Sequence, residues 1–355
     1  MSVLSHASAV SEAQPAKQAN RAAVRRWLML MIGLVVLMVM VGGATRLTGS
    51  GLSITEWRPV TGAMPPLNDQ AWQLEFDKYR ASPQYTLLNA GMDLAEFKFI
   101  YWWEWGHRQL GRFLGVVFGL GIFVFALTGA LRGRELLMAM AIAGLGGLQG
   151  TIGWIMVASG LKPGMIAVAP IKLMLHLTLA SIILALLTLF TARFAPAPKP
   201  DRSASRGWAL AVLIIVLVQI ALGALVAGSR AGLTFNTWPL MDGRFVPSAD
   251  TLFAVSPWIE NFADNVALVQ FNHRIGAFVV LAVALIAAMK ARAITPASPA
   301  ALRTTLIAGL VLLQFALGVV TLIHAVPISL ALAHQVLAMI VVIAAAWNVA
   351  RSRAA

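Results

Sequence analysis

The run "TTLIAGLVLLQFALGVVTLIHAVPISLALAHQVLAMIVVIAAAWNVA", residues 304–350, contains no Asp, Glu, Lys or Arg. A bilayer span takes about 20 mostly apolar residues. The run is too long for one span and reads as two, 304–325 and 328–350, with Pro327 at the hairpin. Working outward, six more apolar stretches qualify: 27–45, 102–131, 135–158, 171–193, 207–228 and 265–290. The sequence predicts an all-α integral membrane protein of eight transmembrane helices. Composition agrees, at 59% hydrophobic and 12% charged residues, against about 25% charged in soluble domains.

The net charge of +13 is not a nucleic-acid signature, because the cations lie between the apolar runs. Lys17, Arg21, Arg25 and Arg26 precede the first run, Arg132 and Arg134 divide the second from the third, and Arg193, Lys199, Arg202 and Arg206 divide the two halves. Lys290, Arg292, Arg303, Arg351 and Arg353 complete one side. The positive-inside rule puts that side, with both termini, in the cytoplasm. The long loops 46–98 and 230–264 then face outward, with Trp57, Trp72, Tyr79, Tyr85, Tyr101, Trp102 and Trp103 expected in an interfacial aromatic belt. The expected organisation is a cytoplasmic tail 1–26, an N-terminal four-helix half 27–194, a cytoplasmic linker 195–206 ("APAPKPDRSASR"), a C-terminal four-helix half 207–350 and a tail 351–355. The absence of cysteine excludes disulfides, thiolate haem ligation and iron–sulfur clusters.

The two halves repeat each other. Gly42 aligns with Gly223, Gly51-Leu52 with Gly232-Leu233, Trp57 with Trp238 and Gly62 with Gly243. Further on, "GHRQLG" (106–111) matches "NHRIG" (272–276), "LQGTIG" (148–153) matches "LQFALG" (313–318), and "MLHLTLA" (174–180) matches "LAHQVLA" (332–338). Four spans per half keep the same membrane orientation. The expected architecture is therefore two parallel four-helix bundles related by a pseudo-two-fold axis along the membrane normal.

Six histidines are present. His6 lies in the tail, and His324 has no counterpart in the other half. The other four form repeat-related pairs, His107 with His176 and His273 with His334, at similar depth toward the outer leaflet. Imidazoles from facing helices suit the two axial positions of a haem iron. Zinc or copper also accepts imidazole, and membrane histidines also serve as helix-packing groups. Glu104 stands one turn before His107, on the same face, whereas Gln270 stands before His273. That asymmetry points to chemistry in the N-terminal half and electron storage or transfer in the C-terminal half. Glu104 is also placed to pair with Arg108. Arg108 and Arg274 are candidate propionate contacts, or snorkelling cations. Gln149, Gln219 and Gln314, each four residues before a glycine, read as inter-helix packing groups.

The stretches "GGATRLTGSGLSITEWRPVTGAMPP" (42–66), "EFKFIYWWEWGHRQLGR" (96–112), "NTWPLMDGRFVP" (236–247), "VQFNHRIGAF" (269–278) and "LAHQVLA" (332–338) resemble the haem A synthase family, in its cysteine-free branch of alphaproteobacterial and mitochondrial members. The resemblance implies an oxidoreductase acting on a CH group. It would oxidise a methyl group of haem O to a formyl group through an alcohol, with oxygen from water. It implies His107 and His176 flanking haem O, Glu104 as catalytic carboxylate, and haem b as cofactor with His273 and His334 as its axial ligands. It further implies a bacterial inner-membrane location, a lipid environment and an unidentified electron acceptor. Haem O synthase and cytochrome oxidase assembly factors are the partners it suggests, and a homo-oligomer is compatible with it. Two rivals from other classes are a di-haem b-type electron carrier, which leaves the Glu104/Gln270 difference unexplained, and a transporter, which calls for polar or broken helices.

Overall fold

The computed structural model describes residues 2–352, with side chains from residue 18 onward. Among them are twelve α-helices: α1 Ser2–Leu47, α2 Asp69–Arg80, α3 Pro83–Leu88, α4 Leu94–Leu127, α5 Gly133–Gly160, α6 Pro170–Ala192, α7 Arg206–Gly228, α8 Ala249–Leu252, α9 Asn261–Asp264, α10 Val266–Ile294, α11 Pro299–Ile323 and α12 Ile328–Arg351. Eight of them (α1, α4–α7 and α10–α12) are long and apolar enough to cross a membrane. The chain is a multi-pass membrane protein.

Two boundaries differ from the sequence reading. The first span is continuous with the helix before it, since α1 runs without a break through residues 18–26 into the apolar stretch. Nothing in "QANRAAVRR" (18–26) breaks a helix, since Ala, Gln and Arg favour one. The second begins at Leu94 rather than 102, because Asp93 caps it. Asp93 Oδ1 accepts from Glu96 N at 2.8 Å, and Glu96 Oε2 accepts from Asp93 N at 3.0 Å. This reciprocal capping box satisfies two otherwise unpaired donors. At about 1.5 Å per residue the helix is roughly 50 Å long, so its first turns stand clear of the bilayer.

Helix neighbours form two closed rings. In the first, α1 packs on α4, α4 on α5, α5 on α6 and α6 back on α1. In the second, α7 packs on α10, α10 on α11, α11 on α12 and α12 back on α7. Hence α4 lies diagonally across from α6, and α10 from α12. The rings join through α6 on α7, α12 on α1 and α6 on α12, as a two-fold axis between α6 and α12 requires. Ser181 Oγ lies 3.9 Å from Met339 Sδ at that junction. Both are buried, and they are repeat mates, at equal distance after His176 and His334. Small and branched apolar residues fill the rest of the junction, including Leu184, Leu187, Val342 and Ala346. Close van der Waals packing is what holds helices together in lipid.

The loop between α1 and α4 has a core of its own. Trp72, Phe76, Tyr79, Phe97, Ile100 and Tyr101 are buried together. Trp72, Tyr79 and Tyr101 are thus a core rather than a belt, because α2 and α3 fold back on the protruding start of α4. Trp57 and Trp102 remain exposed at 49% and 45%.

Candidate functional site: two histidine pairs

All four paired histidines lie in the N-terminal halves of their helices, on the side of the bundle that carries the long loops. His107 is on α4 and His176 on α6; His273 is on α10 and His334 on α12. Each pair spans the diagonal of its ring.

A glycine on the neighbouring helix makes room for every ring. A Cβ built on Gly153 would lie 2.9 Å from His176 Cε1, and on Gly223 2.9 Å from His273 Cε1. On Gly318 it would lie 2.8 Å from His334 Cε1. On Gly42 it would lie 2.8 Å from His107, but from Nε2, so this ring presents a different edge.

The three glutamines do more than pack helices. Gln149 Nε2 lies 3.1 Å from His176 Nδ1 and donates to His176 O at 3.0 Å. Gln219 Nε2 does the same to His273, at 3.0 and 2.8 Å. Gln314 Nε2 lies 3.2 Å from both ring nitrogens of His334 and donates to its carbonyl at 2.9 Å. The Oε1 atoms of all three are buried without a partner. The Gln-x-x-x-Gly spacing was visible in the sequence. The partner histidine was not, since it lies on another helix.

Glu104 is 2% exposed. Its Oε2 accepts from Ser53 Oγ and from Ile54 N, both at 2.8 Å. Its Oε1 accepts from Arg108 Nε at 3.1 Å and Nη2 at 2.6 Å. Arg108 also donates to Ile54 O at 2.8 Å and Glu56 O at 2.9 Å. The pair pins the loop after α1 over the mouth of the first ring. In the second ring Gln270 and Arg274 do the same. Gln270 Nε2 donates to Ala231 O at 2.8 Å, and its Oε1 accepts from Arg274 Nη2 at 3.1 Å. Arg274 donates to Phe235 O at 2.8 Å and Thr237 O at 3.0 Å. Arg274 Nε is buried and unpartnered, whereas every Arg108 nitrogen is engaged. The same scaffold therefore carries a fixed carboxylate in one half and a neutral amide in the other.

The seams facing away from the junction also differ. Phe278 of α10 and Phe315 of α11 meet at 5.0 Å between ring centroids, and Trp238 stacks on Phe278 at 5.8 Å. The repeat mate of Phe315 is Gly150 of α5, with empty space where its Cβ would be. The α4–α5 seam is the most sparsely packed in either ring, and α10–α11 is closely packed.

No group of three His, Cys, Asp or Glu comes together among the described residues, as a zinc site requires. Paired imidazoles, glycine cradles and unpartnered amide oxygens beside the rings fit bis-imidazole ligation of haem.

The family model described as cytochrome oxidase assembly protein, COX15-CtaA, matches residues 25–346. The chain is 61% identical over 324 residues to the heme A synthase of Methylobacterium sp. strain 4-46, covering 90% of this chain and 89% of that protein. It is 50% identical to the heme A synthase of Azorhizobium caulinodans (91% and 92% covered) and 45% identical to that of Brucella ovis (94% and 92% covered). A ring of four spans with a histidine pair across its diagonal, built twice, is thus the form taken by a chain that belongs to the COX15-CtaA family of cytochrome oxidase assembly proteins.

Proposed function

We propose that the protein is a haem A synthase of the bacterial inner membrane, with both termini cytoplasmic. The observation that carries this reading is the unequal pair of sites, alike in histidines and opposite in charge at Glu104 and Gln270. Haem O is the substrate, held between His107 and His176. Its methyl group is oxidised twice. Each oxidation takes up one water, passes two electrons to an external electron acceptor and releases two protons, first to the alcohol and then to the hydrated aldehyde, which loses water to give the formyl group. Haem b, held by His273 and His334, supplies one-electron redox chemistry when bound.

Glu104 acts as a fixed negative charge one turn from His107. Four hydrogen bonds saturate its two oxygens, which favours electrostatic stabilisation of positive charge developing on the substrate over proton abstraction. The glycine at position 150 and the thin α4–α5 seam suit lateral arrival of a substrate with a lipid-like tail. Arg274, with one buried donor to spare, is better placed than Arg108 to meet a propionate.

The test is to purify the protein from cells that make haem O, extract the haems in acid and identify them by mass. The expected result is haem b together with haem O, its alcohol or haem A. His107→Ala and His176→Ala should lose only the second group, and His273→Ala and His334→Ala only haem b. Haem b alone, lost by halves with either pair, would make the protein an electron carrier.

A further inference from the structure

Of the four ring-spanning histidines, three have a glutamine on their Nδ1 side and one does not. The position on α1 that matches Gln219 of α7 is Met38, four residues before Gly42 as Gln219 is four before Gly223. Met38 faces α4 just beyond His107, as Gln219 faces α10 just beyond His273. A Cβ on Gly111 of α4 would lie 3.3 Å from Met38 Cε. On Gly276 of α10 the nearest atom would be Gln219 Oε1. A thioether has no N–H to give and is a weak acceptor.

An imidazole that ligates iron through Nε2 carries its proton on Nδ1 and needs an acceptor there. Beside His176, His273 and His334 that acceptor is at hand, as the buried and unpartnered Oε1 of Gln149, Gln219 and Gln314. Turning the amide over presents that oxygen to the Nδ1 proton and gives up the bond that Nε2 otherwise donates to the histidine carbonyl. Among the described residues no side-chain amide hydrogen-bonds His107, and its Nε2 is turned toward Gly42 on the wall of the ring.

We propose that Gln149, Gln219 and Gln314 are positioning residues that fix His176, His273 and His334 as permanent iron ligands, and that Met38, in a glutamine's place, leaves His107 the one exchangeable ligand, on the side where substrate haem is taken up and released. This rests on the haem reading of the four histidines. The two halves then differ in how firmly they hold a haem: the C-terminal half holds both its imidazoles with an amide, the N-terminal half only one. A substrate must leave as product, and a cofactor must not.

The experiment uses the full chain, purified with its haems, and reads carbon monoxide binding to the reduced protein together with the haem retained per chain. Carbon monoxide binds ferrous haem only where an axial ligand gives way. It should bind the wild-type N-terminal haem and not haem b. Met38→Gln should slow that binding and raise the retained substrate haem by about tenfold, the scale of an outer hydrogen bond to a metal ligand. Met38→Leu, with no amide, should behave as wild type. Gln219→Leu should make haem b newly reactive to carbon monoxide, and Gln219→Glu, which restores an acceptor, should reverse this. Unchanged carbon monoxide binding in Met38→Gln and Gln219→Leu, with both haems still lost on His→Ala substitution, would overturn the positioning proposal alone. A wild-type protein carrying no haem would overturn both it and the reading beneath it.

Discussion

The α4–α5 and α10–α11 seams occupy equivalent places in the two rings and are built to opposite ends. One is closed by Phe278, Phe315 and Trp238. The other has Gly150 where the phenylalanine would be. The loop anchors differ in the same spirit, since Glu104 and Gln270 hold their loops with matched hydrogen bonds yet differ by a full charge. A duplicated scaffold thus keeps its backbone geometry and changes single side chains. The closed, neutral half is suited to keeping a group; the open, charged half is suited to exchanging and transforming one.

The largest effect should come from erasing the charge difference. Glu104→Gln keeps an acceptor for Arg108 and makes the first half resemble the second. Haem A formation, measured by mass of extracted haem, should fall by at least about 100-fold, on the scale of lost charge stabilisation in a buried site. Haem b content should stay constant. Wild-type levels of haem A in this variant would remove Glu104 from the chemistry.

Gly150→Phe copies the closed seam into the open one. Substrate haem loading should drop roughly tenfold while haem b is unaffected. In the opposite direction, Phe315→Gly removes the partly buried aromatic packing against Phe278 and Trp238, and haem b should exchange with free haem in detergent. If Gly150→Phe loads normally, substrate enters elsewhere.

Arg108→Ala strands the buried Glu104 carboxylate, which costs about 3 kcal/mol or more. Arg274→Ala strands only a neutral amide and some loop carbonyls, about 1–3 kcal/mol. Thermal unfolding of the two variants in detergent should therefore show the larger loss for Arg108→Ala, and equal losses would mean that Glu104 bears no net charge.

The smallest effect lies in the linker. Burial would raise the Asp201 pKa, but hydrogen bonds from Ser203 and the Ala300 amide outweigh it and hold the carboxyl below its usual range. Its stabilising contribution is complete above the unfolded value of about 3.9 and is lost as pH falls through the lower folded value. Stability should decline slightly on acidification below about pH 4, and Asp201→Asn should flatten that decline.

Much of this was legible in the sequence. Charge-free runs gave the spans, and aligned Gly, Trp and His residues gave the repeat. Asp93 with Glu96 spelled a capping box that a hydropathy reading passes over, because charged residues seem to close a span when they only open its helix. The Gly150/Phe315 difference was also in plain view within "LQGTIG" and "LQFALG". What could not be read was contact between segments distant in the chain. The reach of Gln149 to His176 depends on how α5 is rotated against α6. The saturation of Glu104 depends on where the loop at Ser53 and Ile54 comes to rest. The burial of Trp72 and Tyr101 follows from α2 and α3 folding over α4, which no local pattern announces.

Parallel repeats have one more consequence. Both histidine pairs sit in the N-terminal halves of helices that run in the same direction. On the proposed haem reading, an electron passing from one half to the other therefore travels sideways, in the plane of the membrane. A charge that crosses the whole membrane gains or loses about 2.3 kcal/mol per 100 mV; one that moves in the plane of the leaflet crosses none of that field. On that reading, transfer between the halves is then indifferent to membrane voltage.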